Sequence, residues 1–206
     1  MKVVEGIDIA NKEKILEMAL KLFIRNGYLG TSLNEIASAV GLTKGGVYHY
    51  FDSKDDLYYQ SIKKFFNFDK PGWLKKNHSS VKSLIQEGFK SINSRKEWIK
   101  KLTNIDSDDA ILHFYMFLYD ATRRHPDLQE YIDKHDQSKR KILTEALKKA
   151  QKNREIRDDI DPEVVAFELD ALLQQLEYLS FVNPKIKKDK DMFKRLFHNY
   201  WLRLKI

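Results

Sequence analysis

The sequence predicts an all-α protein, and three features of the 206-residue chain support this prediction. Apolar residues recur every three or four positions through most of the chain, which is the spacing of one face of a helix. Three helix starts, separated by only two short breaks, lie between Thr31 and Gln60. No segment shows the alternation of apolar and polar residues that is typical of a strand.

The first predicted helix begins after a cap at Asp8 and ends near Asn26. Gly27 follows it and favours a stop there, because glycine readily adopts the left-handed backbone that ends many helices. One face of the helix is apolar and is expected to be buried as a scaffold: Ile15, Leu16, Ala19, Leu22 and Phe23.

A capping box predicts the start of the second helix. Ser32 stands three residues before Glu35, so each side chain can bond a backbone N–H group near the other. Gly41 then supplies the permissive backbone that a tight turn between two helices needs. The apolar face of this short helix is made by Ile36, Ala37 and Val40.

The third predicted helix opens at Thr43 and separates into two faces at about 100° per residue. The inward face carries Gly46, Val47, Tyr50 and Phe51. The outward face carries Lys44, Gly45, Tyr48 and His49. Lysine, tyrosine and histidine can hydrogen-bond phosphates or base edges, and glycine allows a close backbone approach. The outward face therefore indicates a surface that reads DNA.

A second capping box, Ser53 with Asp56, predicts another helix that runs until Pro71 and Gly72 break it. Its first residue is Lys54, which lies where a cation can reach a phosphate. The N-terminal N–H groups of the helix face the same anion.

Residues from about Ile15 to Ile62 resemble the DNA-binding domain of the TetR family of transcriptional regulators. The resemblance covers about a quarter of the chain. It is specific, because the helix lengths, the turn glycine, the aromatic end and the following cap agree together. It is carried by FIRNGY (23–28), Thr31, IASAVGLTKGGVYHYF (36–51) and SKDDLY (53–58).

The resemblance implies an N-terminal three-helix helix-turn-helix DNA-binding domain, followed by a larger helical ligand-binding and dimerisation domain. We expect the helix-turn-helix domain at residues 1–53 and a connecting helix at 54–70. The C-terminal effector-binding and dimerisation domain is expected at 71–206.

Two sets of DNA contacts are expected from the residue placement and the resemblance together. The major groove is expected to receive Lys44, Gly45, Tyr48 and His49. The phosphates are expected to be held by Thr31, Ser32, Thr43 and Lys54.

Six further helices are expected near residues 80–94, 95–104, 108–124, 126–153, 162–182 and 189–204. The last two carry apolar residues on more than one face, so each needs a second packing partner. In the TetR family that partner is the same helix pair of another subunit, which makes a homodimer. The alternative is that the core of one subunit covers both faces. A dimer would hold its recognition helices about 34 Å apart, so the target is expected to be an inverted repeat.

The segment at residues 111–120 is unusually aromatic and would suit a cavity for a hydrophobic small-molecule effector. The expected effector-binding residues are Trp98, His113, Tyr115, Gln174, Glu177 and Tyr178. The alternative is that these aromatic residues are packed core. The family resemblance is the reason for expecting a pocket at all.

The formal net charge of +7 suggests an acidic partner, but its distribution matters more than its sum. Residues 1–64 hold nine Lys or Arg and eight Asp or Glu, a net charge of only +1. The basic runs at 139–157 and 185–205 are interpreted as solvated helix faces. The DNA-binding hypothesis therefore rests on residue placement and not on composition.

The sequence contains no cysteine, no metal-binding histidine spacing and no glycine-rich phosphate loop. We therefore expect no catalytic residues, no metal, no cofactor and no enzymatic activity. No run approaches the roughly 18 apolar residues of a membrane span, and we expect a cytoplasmic protein.

Together these features support a ligand-responsive repressor that binds an inverted-repeat operator as a homodimer. One alternative is a TetR-like activator or a regulator that needs no effector. Another is a small-molecule binding protein that has lost operator binding. Lys44, Tyr48 and Lys54 argue against this last alternative.

Overall fold

The computed structural model describes residues 2–68, 72–75, 77–107, 109–183, 189 and 191–206. Over these residues the chain is helical apart from short connections and one isolated antiparallel bridge, between Ile156 and Lys205. The all-α prediction is confirmed. The helices are α1 (Lys2–Gly30), α2 (Leu33–Val40), α3 (Lys44–Tyr48), α4 (Lys54–Phe68), α5 (Gly72–Lys75), α6 (Val81–Thr103), α7 (Asp109–Arg124), α8 (Asp127–Lys152), α9 (Pro162–Val182) and α10 (Met192–Leu204).

The chain divides into two compact units. The first unit combines Met1–Asp69 with Ile99–Glu130, and the second combines Lys70–Trp98 with Tyr131–Ile206. Helices α1 to α4 and α7 thus belong to the first unit. The expected functional domains at 1–53, 54–70 and 71–206 stay a prediction. The boundary between residues 70 and 71 lies outside the described residues.

Helix α1 begins before the predicted cap. Asp8 lies inside the helix, and its carboxylate accepts a hydrogen bond from the Tyr50 hydroxyl instead of capping α1. The predicted stop is present, because Gly27 has φ 75° and ψ 170° and interrupts the helical backbone. Only glycine adopts this conformation without strain.

The core of the first unit is built on the buried stripe of α1. Helix α1 packs against α2, α4 and α7. Four of the five predicted stripe residues are buried, and Leu22 is half-buried. Each fully buried Leu, Ile or Phe stabilises the unit by about 1.5–3 kcal/mol. The other buried residues of the first unit include Ile36, Val47, Phe51, Leu57, Ile62, Phe114 and Phe117.

The core of the second unit is a separate cluster from α6, α8, α9 and α10. Its buried members include Ile85, Phe89, Leu143, Leu147, Val165, Leu169 and Leu176. Helix α10 joins this cluster through Phe197, Tyr200 and Leu204. The Tyr200 hydroxyl donates to the carbonyl oxygen of Val165, so its polar end is satisfied inside the core.

Two further helices, α6 and α3, differ from the prediction. Helix α6 is one continuous helix where two were expected, because neither Gly nor Pro interrupts the chain near residue 95. Helix α3 stops at Tyr48 and does not reach Phe51. The predicted start of α7 at residue 108 lies outside the described residues. No helix within the described part of the chain is long and apolar enough to cross a membrane.

Candidate nucleic-acid interface

The turn between α2 and α3 has the predicted caps. The Glu35 N–H donates to Ser32 Oγ at 3.1 Å, and the Ser32 N–H donates to the Glu35 carboxylate at 3.5 Å. Gly41 has φ 76° and ψ 29°, the left-handed conformation that ends α2 and allows the chain to reverse. Thr43 Oγ1 accepts from the Gly46 N–H at 3.1 Å and caps α3.

The two faces of the recognition segment, residues 44–51, are placed as predicted. Val47 and Phe51 are buried and anchor the segment, while Tyr48 is 46% exposed. A Cβ added to Gly45 would meet nothing of the chain closer than Thr43 Oγ1, at 3.8 Å. The outward side chains and the Gly45 backbone are therefore presented to solvent: Lys44, Gly45, Tyr48 and His49.

The start of α4 is also capped by its predicted serine. The Asp56 N–H donates to Ser53 Oγ at 3.0 Å. The reciprocal bond comes from the N–H of Asp52, at 3.2 Å from the Asp56 carboxylate, and not from Ser53. These bonds fix the direction in which α4 leaves the recognition segment and hence the position of Lys54.

Lys54 shares an aromatic ring with a second cation. Its Nζ atom lies 4.3 Å from the centroid of the Tyr28 ring, and the Arg124 Cζ atom lies 4.0 Å from the same centroid. Burial, and then the charge of Arg124, lower the pKa of Lys54. Tyr28 is itself held by Tyr58, whose ring meets it edge-on at 5.1 Å.

Asp120 on α7 holds the second cation. Its carboxylate accepts from Arg124 Nε at 2.7 Å and from Arg123 at 3.1 Å. Burial disfavours the charge of Asp120, but these two bonds outweigh it and lower the pKa of the carboxyl. The buried Tyr58 hydroxyl lies 3.4 Å from the same carboxylate. Burial, and then the charge of Asp120, raise the pKa of Tyr58.

Thr31 differs from the other expected phosphate contacts because its side chain is 1% exposed. Its hydroxyl lies 3.1 Å from the carbonyl oxygen of Leu22 and 2.9 Å from that of Gly27. The hydroxyl satisfies carbonyl groups left open where Gly27 interrupts α1, so it faces the protein. We therefore leave the Thr31 side chain out of the proposed DNA contacts.

Sequence reasoning missed the contacts that fasten α1 to the recognition segment. The Tyr50 hydroxyl donates to Asp8 at 2.7 Å, and the Lys12 ammonium lies 5.4 Å from the Phe51 ring centroid. Lys14 donates to the carbonyl oxygen of Val40 at 3.2 Å, near the end of α2. Each pair is separated by 26 or more residues, and no local spacing rule connects such partners.

The expected effector-binding residues fall in both units. His113 and Tyr115 are half-buried on α7 of the first unit. In the second unit Glu177 is 8% exposed and accepts from Arg95 Nε at 2.9 Å, while Gln174, Tyr178 and Trp98 are exposed. The effector site stays a prediction. No group of three or more metal-ligand side chains within the described residues could hold a metal ion.

Two segments of this chain match known protein families. Residues 15–60 match the family described as bacterial regulatory proteins, tetR family, which is nearly the span of the helix-turn-helix region. Residues 114–191 match the tetracyclin repressor-like C-terminal domain.

Curated relatives extend the similarity. The HTH-type negative transcriptional regulator of the biofilm operon icaADBC from Staphylococcus epidermidis is 31% identical over 131 residues, which is 59% of this chain and 69% of that protein. The corresponding protein of Staphylococcus aureus strain Newman is 44% identical over 57 residues. That match covers 28% of this chain and 31% of that protein.

Solved structures share the fold over nearly the whole chain. The reduced form of E. coli NemR has a TM-score of 0.68 at 16% identity, covering 94% of this chain and 97% of that one. NalD of Pseudomonas aeruginosa, described as the secondary repressor of the MexAB-OprM multidrug efflux pump, has a TM-score of 0.63 at 21% identity. It covers 95% of this chain and 96% of its own. At these identities the likeness concerns the fold alone.

Proposed function

The chain belongs to the tetR family of bacterial regulatory proteins, and we propose that it represses transcription by binding an inverted-repeat operator as a homodimer. As a family member it is a DNA-binding transcriptional regulator. The observation that carries the proposal is the recognition segment. Buried Val47 and Phe51 anchor it from one side, and a cation, a phenol and an imidazole face solvent on the other.

In the proposed complex the outward face of α3 enters the major groove. The Lys44 ammonium and the Tyr48 and His49 side chains are free to meet base edges or phosphates. Lys44 Nζ lies 5.7 Å from the Tyr48 ring centroid, so the two groups would reach neighbouring positions of the duplex. The bare backbone at Gly45 permits the close approach.

Phosphate contacts would fix the register of the protein on DNA. The Ser32 and Thr43 hydroxyls each accept a backbone N–H through oxygen, and each keeps its own O–H to donate to a phosphate. Lys54 stands at the N-terminus of α4, where helix N–H groups also favour an anion.

The homodimer would form through residues 162–182 and 189–204. On α9, Val165, Leu169 and Leu176 are buried in the core of the second unit. The opposite side of the same helix is also apolar, with exposed fractions of 41–60%. A second copy of this helix would cover these residues, which recur at helical spacing: Val164, Phe167 and Val182.

The repressor role rests on the S. epidermidis relative, whose name describes a negative transcriptional regulator. Release from DNA would follow from an effector that binds one conformation of the protein better than the other. We place a hydrophobic effector beside the Arg95–Glu177 ion pair, which joins α6 to α9. Trp98 follows Arg95 by one turn, and Gln174 and Tyr178 flank Glu177.

Fluorescence anisotropy tests the proposal most directly. Full-length protein is titrated into labelled DNA from upstream of its own gene, with a scrambled duplex as the control, across a salt series. We expect specific binding with two subunits per site. Equal, steeply salt-dependent binding to both duplexes would mean that the basic chain attracts DNA without reading it.

A further inference from the structure

We propose that Arg124 is a positioning residue for the phosphate contact of Lys54, because it occupies the carboxylate of Asp120 and so keeps the Lys54 ammonium available to DNA. The inference rests on the proposed function, in which Lys54 contacts a phosphate. It assigns a role in DNA binding to Arg124 of α7, 70 positions after Lys54 in the chain.

Two cations, on Lys54 and Arg124, compete for one environment. The Lys54 ammonium and the Arg124 guanidinium both lie within 4.3 Å of the centroid of the Tyr28 ring. Of the two, Arg124 holds the carboxylate, with its Nε atom 2.7 Å from Asp120. Lys54 pairs with no carboxylate of the described residues, and its contact is the Tyr28 ring.

Asp120 would attract Lys54 if Arg124 were absent. Its side chain is 28% exposed, and charges interact more strongly in such partly buried positions than in bulk water. Arg123 also bonds Asp120, but the Arg123 side chain is 65% exposed, so solvent screens that pair. Removing Arg124 would therefore leave one carboxylate oxygen of Asp120 without its cation, and Lys54, which already lies on the Tyr28 ring, would pair with it.

An ion pair between Lys54 and Asp120 would weaken DNA binding. A lysine that reaches a phosphate displaces the counterion of that phosphate, which gives each contact a measurable share of the salt dependence. A Lys54 drawn to Asp120 would have to break an ion pair before it could reach DNA. Arg124 thus affects affinity without touching the duplex.

The experiment compares full-length variants by anisotropy on the operator across a salt series. We expect Lys54→Ala to lose about tenfold in affinity at 0.1 M salt, and about 0.9 per subunit in the slope of log K against log salt, hence about 1.8 for the two subunits at one site. Arg124→Gln should show a similar loss alone and no further loss in the Lys54→Ala background. Asp120→Asn with Arg124→Gln should regain wild-type binding, because no unpaired carboxylate remains.

Two controls accompany these variants. Arg124→Lys keeps the positive charge beside Asp120 and should bind like the wild type. Arg157→Gln removes one cation from an exposed ion pair with Asp159 in the second unit, so it matches the change in net charge. It should leave the salt slope unchanged.

Several outcomes overturn the inference. Unchanged binding of Arg124→Gln would contradict the inference. A double Asp120→Asn, Arg124→Gln variant that stays about tenfold weaker would also contradict it, since Arg124 would then touch a phosphate itself. The double variant can still overturn the inference where Arg124→Gln fails to fold. Wild-type binding by Lys54→Ala removes the Lys54 contact and the inference together. The proposed function itself is contradicted only if the wild-type protein shows no specific binding to the upstream DNA.

Discussion

Helices α3 and α9 carry the two proposed binding surfaces, and they are built in opposite ways. Helix α3 has five residues, two of them glycine, and depends on its neighbours for its conformation. Helix α9 has 21 residues and is apolar on both its buried and its exposed sides. The polar surface of α3, which its neighbours hold in place, should bind DNA with an affinity that falls as salt is added. The apolar surface of α9 should bind a second subunit with an affinity that depends little on salt.

The largest expected effect comes from removing the support of the recognition segment. Phe51 is 2% exposed and anchors residues 44–51 to the core of the first unit. Phe51→Ala should lower the free energy of unfolding by about 3–5 kcal/mol, because it leaves a cavity behind a large side chain. Urea unfolding followed by circular dichroism measures this loss. A variant as stable as the wild type would show that α3 holds its shape unaided.

The next effect concerns the exposed side of α9. Phe167 is 60% exposed, and Phe167→Asp should place a charge in the proposed dimer interface. We expect the dimer to weaken by about 3 kcal/mol, roughly 150-fold, with little change in the stability of the subunit. Sedimentation at several protein and salt concentrations measures the dissociation of the dimer. Urea unfolding measures the stability of the subunit. Glu168→Gln, on the neighbouring exposed position, is the matched control, and equal dissociation of both variants would contradict the proposed face.

A smaller effect is expected from the outward face of α3. Tyr48→Ala should cost specific operator affinity about 1–3 kcal/mol, because it removes a group that reads the groove. The melting temperature should stay unchanged, since Tyr48 is 46% exposed. Anisotropy on operator and scrambled duplexes, with a thermal melt of each protein, tests this. An unfolded variant would place Tyr48 in the core and reverse the assignment of the two faces.

The smallest effect concerns the bond between Asp8 and Tyr50. The hydrogen bond to Asp8 is the main cause that raises the pKa of the Tyr50 phenol above its ordinary value of 10.0. The bond needs a protonated phenol, so it stabilises the protein below pH 10.0 and is lost as the pH rises through the folded pKa. In Asp8→Ala the Tyr50 resonance should titrate at lower pH by tyrosine-labelled NMR. An unmoved titration would leave the pKa shift to burial alone.

The parts of the interface that were predictable from sequence are those set by residues three or four positions apart. Ser32, Gly41 and Thr43 act as expected because a cap bonds its own turn of the helix. The alternation of Val47 with Tyr48 follows from helical geometry in the same way.

The parts that were not predictable depend on the folded chain. The burial of Thr31 follows from carbonyl groups left open at Gly27, and the pairing of Asp8 with Tyr50 joins positions 42 apart. Helix α6 is continuous where two helices were expected, because serine and charged residues such as Ser94 and Arg95 can lie within a helix and mark no boundary by themselves. The place of Arg124 beside Tyr28 required the packing of α7 on α1.

The open space at Gly45 sets stability and recognition against each other at one position. A methyl group would meet no atom of the chain closer than 3.8 Å there, and alanine favours a helix by roughly 1 kcal/mol over glycine. A search for heat-resistant variants would therefore favour alanine at residue 45. The same methyl group would stand between the α3 backbone and the groove. The more stable variant would therefore bind its operator more weakly.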